Sequence, residues 1–164
     1  MNYVFEKAKI GDIKAIYNLL TYYGQKGLVL PRPLSQIYDF LRDFFVCRRE
    51  SEVVGICALH ICWENLAEIR SLAVKEEFQG RGIGSYLVQA CLQEAMSFGI
   101  TRVFTLTYQP DFFQKFGFKE VKKSFLPHKI WADCIRCPKY PDLCDEVALL
   151  WEFKNGTNNE HMSG

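Results

Sequence analysis

What this sequence lacks first is an excess of charge of either sign. Its 164 residues carry 20 Lys plus Arg against 19 Asp plus Glu, a formal net charge of +1. A dedicated nucleic-acid binder shows a basic excess or a basic stripe, and neither is visible. Long apolar runs are also missing: none approaches the roughly 20 residues that a membrane helix needs. The opening stretch MNYVFEKAKIGD has no apolar segment of the kind that a secretory leader carries. There is no internal repeat and no even set of cysteines. The count is seven, and Cys47, Cys57, Cys62 and Cys91 lie inside apolar periodic segments. That pattern predicts buried thiols in a reducing compartment rather than a disulfide framework, hence a cytoplasmic address.

What is present suits a folded enzyme-sized domain. Hydrophobic residues make up 49% of the chain, ample for a core at this length. Residues 1–153 are expected to form one domain. Residues 154–164 (KNGTNNEHMSG) are polar and rich in Gly and Asn, and are expected to be a disordered tail with little to bury.

Periodicity predicts the elements. Ile13, Ile16, Tyr17 and Leu20 recur at helical spacing, with Asp12 as a cap and Gly24 as the end. A second helix is expected from Ser35, turning Ile37, Phe40 and Leu41 inward. Phe44–Arg48 and Val53–Ile61 read as a hairpin across the turn Glu50-Ser51-Glu52, and Leu66–Val74 as a third strand. After Gly82 the pattern returns to helical, with Ile83, Tyr86, Leu87, Ala90 and Cys91 on one face and Gly99 past the end. Arg102–Thr107 reads as a strand, Asp111–Phe116 as a short helix, and Phe118–Val121 and Val147–Phe153 as strands. Strands followed by a strand–helix–strand unit predict an α/β fold, a mixed central sheet covered by helices.

The most informative segment is Leu72-Ala73-Val74-Lys75-Glu76-Glu77-Phe78-Gln79-Gly80-Arg81-Gly82-Ile83-Gly84-Ser85. It sets a glycine-rich turn between a strand and an amphipathic helix. Backbone N–H groups at a helix N-terminus are unpaired and lie at the positive end of the helix dipole, which makes a ready anion site. Glycines at 80, 82 and 84 remove side chains that would block a phosphate, and Arg81 adds a mobile positive charge. A plain strand–turn–helix corner has the same glycines, so this feature alone leaves both readings open. The nucleotide P-loop is excluded because no Gly-Lys-Ser/Thr follows. The dinucleotide fingerprint is excluded by the Gly-x-Gly-x-Gly spacing.

Gln79-x-x-Gly82-x-Gly84 resembles the Gln/Arg-x-x-Gly-x-Gly/Ala signature of the GNAT acetyltransferase superfamily. Glu68–Val74 resembles that family's splayed central strand, and Phe112–Phe118 its second cofactor segment. Beyond this core the chain resembles the short, stand-alone N-acetylglutamate synthases, which are amino-acid N-acetyltransferases. Gly27–Ser35 looks like their arginine-bearing loop, Ala67–Val74 like their central strand, Leu106–Phe118 like their Phe-Phe segment, and Leu126-Pro127-His128-Lys129 like their Leu-Pro-x-x-Lys element. The resemblance covers about residues 3–153.

It implies a GNAT fold, with a mixed central sheet and helices on both faces, and acetyl-CoA as cosubstrate. The pantetheine arm would bond to the strand edge at Leu72, Ala73 and Val74. The pyrophosphate would sit on the amides of Gln79, Gly80, Arg81, Gly82, Ile83, Gly84 and Ser85, with Phe112 and Phe113 completing the cofactor site. Arg32, Arg70 and Lys129 would bind the two carboxylates of L-glutamate, because arginine holds a carboxylate bidentately. Transfer would be direct attack of a neutral amine on the thioester, the entry to arginine biosynthesis in that family. Glu68 is the candidate base. Many relatives carry a tyrosine at the position of Phe113 as the acid for the leaving thiolate. Phenylalanine cannot donate a proton, which leaves Tyr108, water or departure as thiolate.

Cys134, Cys137 and Cys144 depart from the family pattern. Cys-x-x-Cys is a common zinc half-site, and a structural zinc would need a fourth ligand such as His128 or Asp145. Three reduced thiols in an irregular loop, or a Cys134–Cys137 redox pair, account for the same residues. Other functional readings keep the fold with a different acceptor, such as a protein N-terminus or a small-molecule amine, or make the chain a non-catalytic acetyl-CoA-binding regulator. Family practice adds a homodimer.

Overall fold

The computed structural model describes residues 2–126 and 146–153. Among the described residues, seven strands and four α-helices follow one another as β1 (Tyr3–Lys7), α1 (Ile13–Gln25), α2 (Leu34–Asp39), β2 (Phe44–Arg49), β3 (Glu52–Trp63), β4 (Leu66–Val74), α3 (Ile83–Ser97), β5 (Arg102–Thr107), α4 (Pro110–Gln114), β6 (Lys119–Glu120) and β7 (Val147–Glu152). The strands form one mixed sheet of order β1-β2-β3-β4-β5-β7-β6. The β4–β5 pair is parallel, while β1–β2, β2–β3, β5–β7 and β6–β7 are antiparallel. The expected α/β class is therefore the one observed.

The chain divides into two compact units, the first being residues 1–60 and 69–94, the second 61–68 and 95–164. In the first unit, β3 shows why both faces of the sheet are covered. Residues 53–59 are all buried, and successive side chains on a strand point to opposite faces. Ile56 and Ala58 join Ile13, Ile16, Leu20 and Ile37 of α1 and α2 in one cluster. Gly55 and Cys57 face the other way, onto α3. A Cβ at Gly55 would lie 3.0 Å from Ile83 Cγ2 and 3.2 Å from Leu87 Cδ1, and the Cys57 and Cys91 sulfurs are 3.7 Å apart. The neighbouring Cys57, followed by burial, raises the Cys91 thiol well above its ordinary range, and burial pushes Cys47 up to about 11. All four of Cys47, Cys57, Cys62 and Cys91 are buried and outside any disulfide, as their apolar surroundings predict.

The second unit has its own core of Cys62, Leu66, Phe104, Leu126, Ala148 and Leu150. Its register runs Arg102 opposite Glu152 through Thr107 opposite Val147.

Several local expectations are corrected. β1 has no counterpart in the sequence reading. Only Tyr3-Val4-Phe5 is β-prone, and the strand is completed by pairing Tyr3–Lys7 with Arg49–Phe45 of β2. Asp12 precedes α1 but does not cap it. Its carboxylate accepts hydrogen bonds from the Lys9 amide at 2.8 Å and from both terminal nitrogens of Arg48 at 2.6 and 2.7 Å. A bidentate guanidinium outcompetes a helix amide for a carboxylate. α1 runs through Gly24, and the chain turns at Gly27, whose φ of 72° suits glycine. Tyr86 is 59% exposed, so the buried face of α3 is Ile83, Leu87, Val88, Cys91, Leu92 and Ala95.

Candidate active site

The glycine-rich turn belongs to the first unit. β4 carries Ser71 at φ 59°, a left-handed residue inside a strand, which marks a bulge. Parallel pairing with β5 is recorded before that bulge, at Ala67 and Glu68. After Val74 the Lys75 amide donates to the Val54 carbonyl at 2.8 Å, and a 3₁₀ turn at Glu76–Phe78 leads into Gln79. Gly80 and Gly82 follow at φ 77° and 83°, and α3 begins at Ile83. A Cβ on Gly80 would meet nothing within 4 Å, and one on Gly82 only the rim of Tyr86 at 3.9 Å. The glycines are therefore required by backbone conformation, and the space before them is open. Both conditions favour close approach of an anion to the first amides of a 15-residue helix.

Two side chains of the motif are held by the protein itself. Arg81, expected to be mobile, donates from Nη1 to the Tyr3 hydroxyl at 3.1 Å and lies over the Phe78 ring at 5.3 Å. Arg49 lies over the same ring at 5.6 Å. Gln79 turns its carboxamide inward, donating at 3.0 Å to both the Val74 carbonyl and the Tyr23 hydroxyl.

The arginines expected to bind the acceptor also lie in the first unit. Arg32 is 7% exposed and donates to Gln36 Oε1 at 3.2 Å. Its loop is pressed against α1, since a Cβ at Gly24 would sit 2.8 Å from Pro31 Cβ. Arg70 lies over the Phe40 ring at 5.2 Å. Phe40 also meets the His60 ring edge-on at 5.0 Å, and His60 Nδ1 is 2.7 Å from Asp43 Oδ2. No sequence spacing points to this His60–Asp43 pair, because the two residues come from different elements 17 positions apart.

In the second unit Glu68 lies half-buried on β4, opposite Phe104 of β5. Tyr108 follows β5 and is also half-buried. Phe113 is 4% exposed. It packs edge-to-face with Phe112 at 5.1 Å and with Phe118 at 5.4 Å. Lys129, His128, Asp145 and the trio Cys134, Cys137 and Cys144 lie outside the described residues, as does the 154–164 tail. Among the described residues, no group of three or more His, Cys, Asp or Glu could hold a metal, and no helix is long and apolar enough to cross a membrane.

A strand with a left-handed bulge, followed by an open glycine turn at the head of α3 on a mixed sheet, is the arrangement that the resemblance to the GNAT superfamily implies. Comparison with known proteins agrees. Residues 13–118 match the acetyltransferase (GNAT) family, and the chain belongs to that family. It is 41% identical over 143 residues to an uncharacterised N-acetyltransferase of Chlorobaculum tepidum, covering 87% of this chain and 92% of that protein. It is 33% identical over 136 residues to the amino-acid acetyltransferase of Mycobacterium tuberculosis, covering 81% of this chain and 78% of that one. A Mycobacterium tuberculosis crystal structure in complex with CoA superposes with a TM-score of 0.80 at 28% identity, over 92% of this chain and 99% of its own. The N-acetylglutamate synthase of Neisseria gonorrhoeae shares the fold, with a TM-score of 0.83 at 23% identity, although the chain spans only 35% of it. The protein is an acetyl-CoA-dependent N-acetyltransferase of the GNAT type.

Proposed function

We propose that the acceptor is the α-amine of an amino acid with a second carboxylate, L-glutamate, which would put the product at the entry to arginine synthesis. The observation that carries this reading is the burial of Arg32, 7% exposed on a loop clamped against α1. Most arginines are exposed, so a buried one held on a loop is a distinctive feature of this region. A guanidinium fixed in this way is suited to a substrate carboxylate. Arg70, braced on Phe40, supplies a second cation, and Lys129 is the third candidate. The 33% identity to an amino-acid acetyltransferase supports the same class of acceptor. An acidic amine-binding wall, which a polyamine would need, is not what two arginines build.

The reaction needs a neutral amine held against the thioester. The amine nitrogen bonds to the acetyl carbon, the carbon–sulfur bond breaks, and coenzyme A leaves with the electron pair. The amine proton goes to a base, which we assign to Glu68 acting directly or through water. The buried Phe113 carries no proton for the thiolate, so Tyr108 or solvent supplies it. The amides of Gln79–Ser85 hold the pyrophosphate.

Thiol release from acetyl-CoA across free amino acids, polyamines and peptides tests the proposal. Selective turnover with L-glutamate is expected. Turnover confined to polyamines or peptide N-termini would overturn the acceptor assignment while leaving the family intact. Glu68→Gln is expected to lower kcat, most strongly at low pH, and an unchanged pH–rate profile would remove Glu68 as base.

A further inference from the structure

The signature glutamine invites assignment as a ligand for the cofactor phosphates, yet its side chain is already engaged. A carboxamide NH₂ has two hydrogens, and both are used at 3.0 Å, one on the Val74 carbonyl and one on the Tyr23 hydroxyl. The Tyr23 hydroxyl in turn donates to the same Val74 carbonyl. Three groups from the end of α1, the end of β4 and the start of the glycine turn thus close a ring of hydrogen bonds. In that ring each polar hydrogen has an acceptor, and both lone pairs of the Val74 carbonyl are taken. Tyr23 is 6% exposed and belongs to the α1 core cluster. Burial, the largest influence, raises its phenol above the ordinary range, so it stays a donor at neutral pH. The same helix end reaches the segment a second time through Tyr22 and Lys26, which both meet Glu76.

We propose that Tyr23 and Gln79 form a latch that sets the position of the phosphate turn, making Tyr23 a positioning residue for acetyl-CoA binding. The inference rests on the reading of that turn as the cofactor site. It also revises how the pantetheine arm meets β4, because a carbonyl that already accepts two hydrogen bonds cannot take a third from the arm. Val74 therefore does not contribute its carbonyl to cofactor binding. Gln79 acts through the protein, and the phosphates meet backbone amides alone at its position.

The test is Tyr23→Phe, which removes one oxygen and keeps the ring in the core. CoA binding by calorimetry is expected to weaken about fivefold, equivalent to roughly 1 kcal/mol, as the hydroxyl's bonds to Val74 and Gln79 are both lost. KM for acetyl-CoA should rise in parallel, while kcat and the acceptor KM stay within about twofold of wild type. Gln79→Met, of similar length and without donors, should move the same constants in the same direction. Leu19→Val, which loosens α1 without touching the ring of hydrogen bonds, controls for simple destabilisation. If Tyr23→Phe weakens CoA no more than Leu19→Val at matched thermal stability, the latch is overturned. Amide hydrogen exchange over residues 79–85 in the unliganded protein reads the latch independently of any ligand. Faster exchange in Tyr23→Phe than in Leu19→Val supports the latch, and equal exchange overturns it. Failure of the wild-type protein to bind CoA would instead strike the cofactor reading of the turn.

Discussion

The glycine turn after β4 and the arginine loop after α1 lie in the same compact unit, yet they differ in how their function is encoded. The turn is local: strand, glycines and helix N-terminus are adjacent in sequence, and their left-handed φ values are a property of the glycines themselves. The loop is contextual. Arg32 is buried next to Pro31, which stands against Gly24 of α1, and Arg70 lies over Phe40 from another element. Local chemistry therefore points to the proposed cofactor side, whereas the proposed acceptor side depends on partners that only folding brings together.

Substitutions can break or sharpen that contrast. The largest effect is expected for Gly82→Val. A β-branched residue at φ 83° is strained whatever the space around it. CoA affinity should fall at least about a hundredfold, in line with ~3 kcal/mol of strain and lost approach, with the circular dichroism spectrum of the fold retained. Near-wild-type affinity would reduce the turn to a structural corner.

Next comes Arg32→Ala. With L-glutamate, kcat/KM should drop by roughly a hundredfold through KM, while CoA binding is unchanged, because a charge-assisted pair is worth about 2–3 kcal/mol. Arg32→Lys should recover only part of this, since lysine lacks the planar fork. Equal loss of CoA binding would abolish the separation of the two regions.

Asp12→Asn probes the frame beneath both. Hydrogen bonding from Arg48 holds the Asp12 carboxyl below its ordinary range, against the opposing effect of burial. The unfolded chain then binds the proton more tightly than the folded one. The contribution to stability is complete above the unfolded carboxyl range and is lost as pH falls through the lower folded value. At pH 7 the variant should be less stable by roughly 2 kcal/mol, from loss of one partner of a part-buried ion pair. The gap to wild type in denaturant midpoint should narrow as pH falls below the ordinary carboxyl range. A gap independent of pH would mean that the carboxylate charge is not what stabilises Arg48.

The smallest effect is expected for Gly24→Ala. Alanine favours a helix over glycine by about 1 kcal/mol, but here its Cβ would stand 2.8 Å from Pro31. The loop should shift by a few tenths of an ångström, raising the acceptor KM severalfold and leaving the CoA constant alone. No change in acceptor KM would show that Arg32 does not depend on that clamp.

Much of the fold was legible because strand and helix periods are written residue by residue. Leu66–Val74 and Arg102–Thr107 carry their own boundaries as β4 and β5. β1 was not legible, since an edge strand with three β-prone residues takes its register from partners 38 to 46 positions away in sequence rather than from its own pattern. Asp12 shows the same limit at one side chain. A cap is a local rule, and a distant arginine overrode it.

By itself, then, the sequence determined the α/β class, the burial of Cys47, Cys57, Cys62 and Cys91, and the glycine turn between β4 and α3, because each follows from spacing along one segment. Only the tertiary structure decided that Gln79 faces inward onto Tyr23 and Val74, that Arg81 is held by Tyr3 and Phe78, and that His60 meets Asp43. Those are hydrogen bonds and ring contacts between elements remote in sequence. Their partners are selected by packing geometry, which no single segment contains.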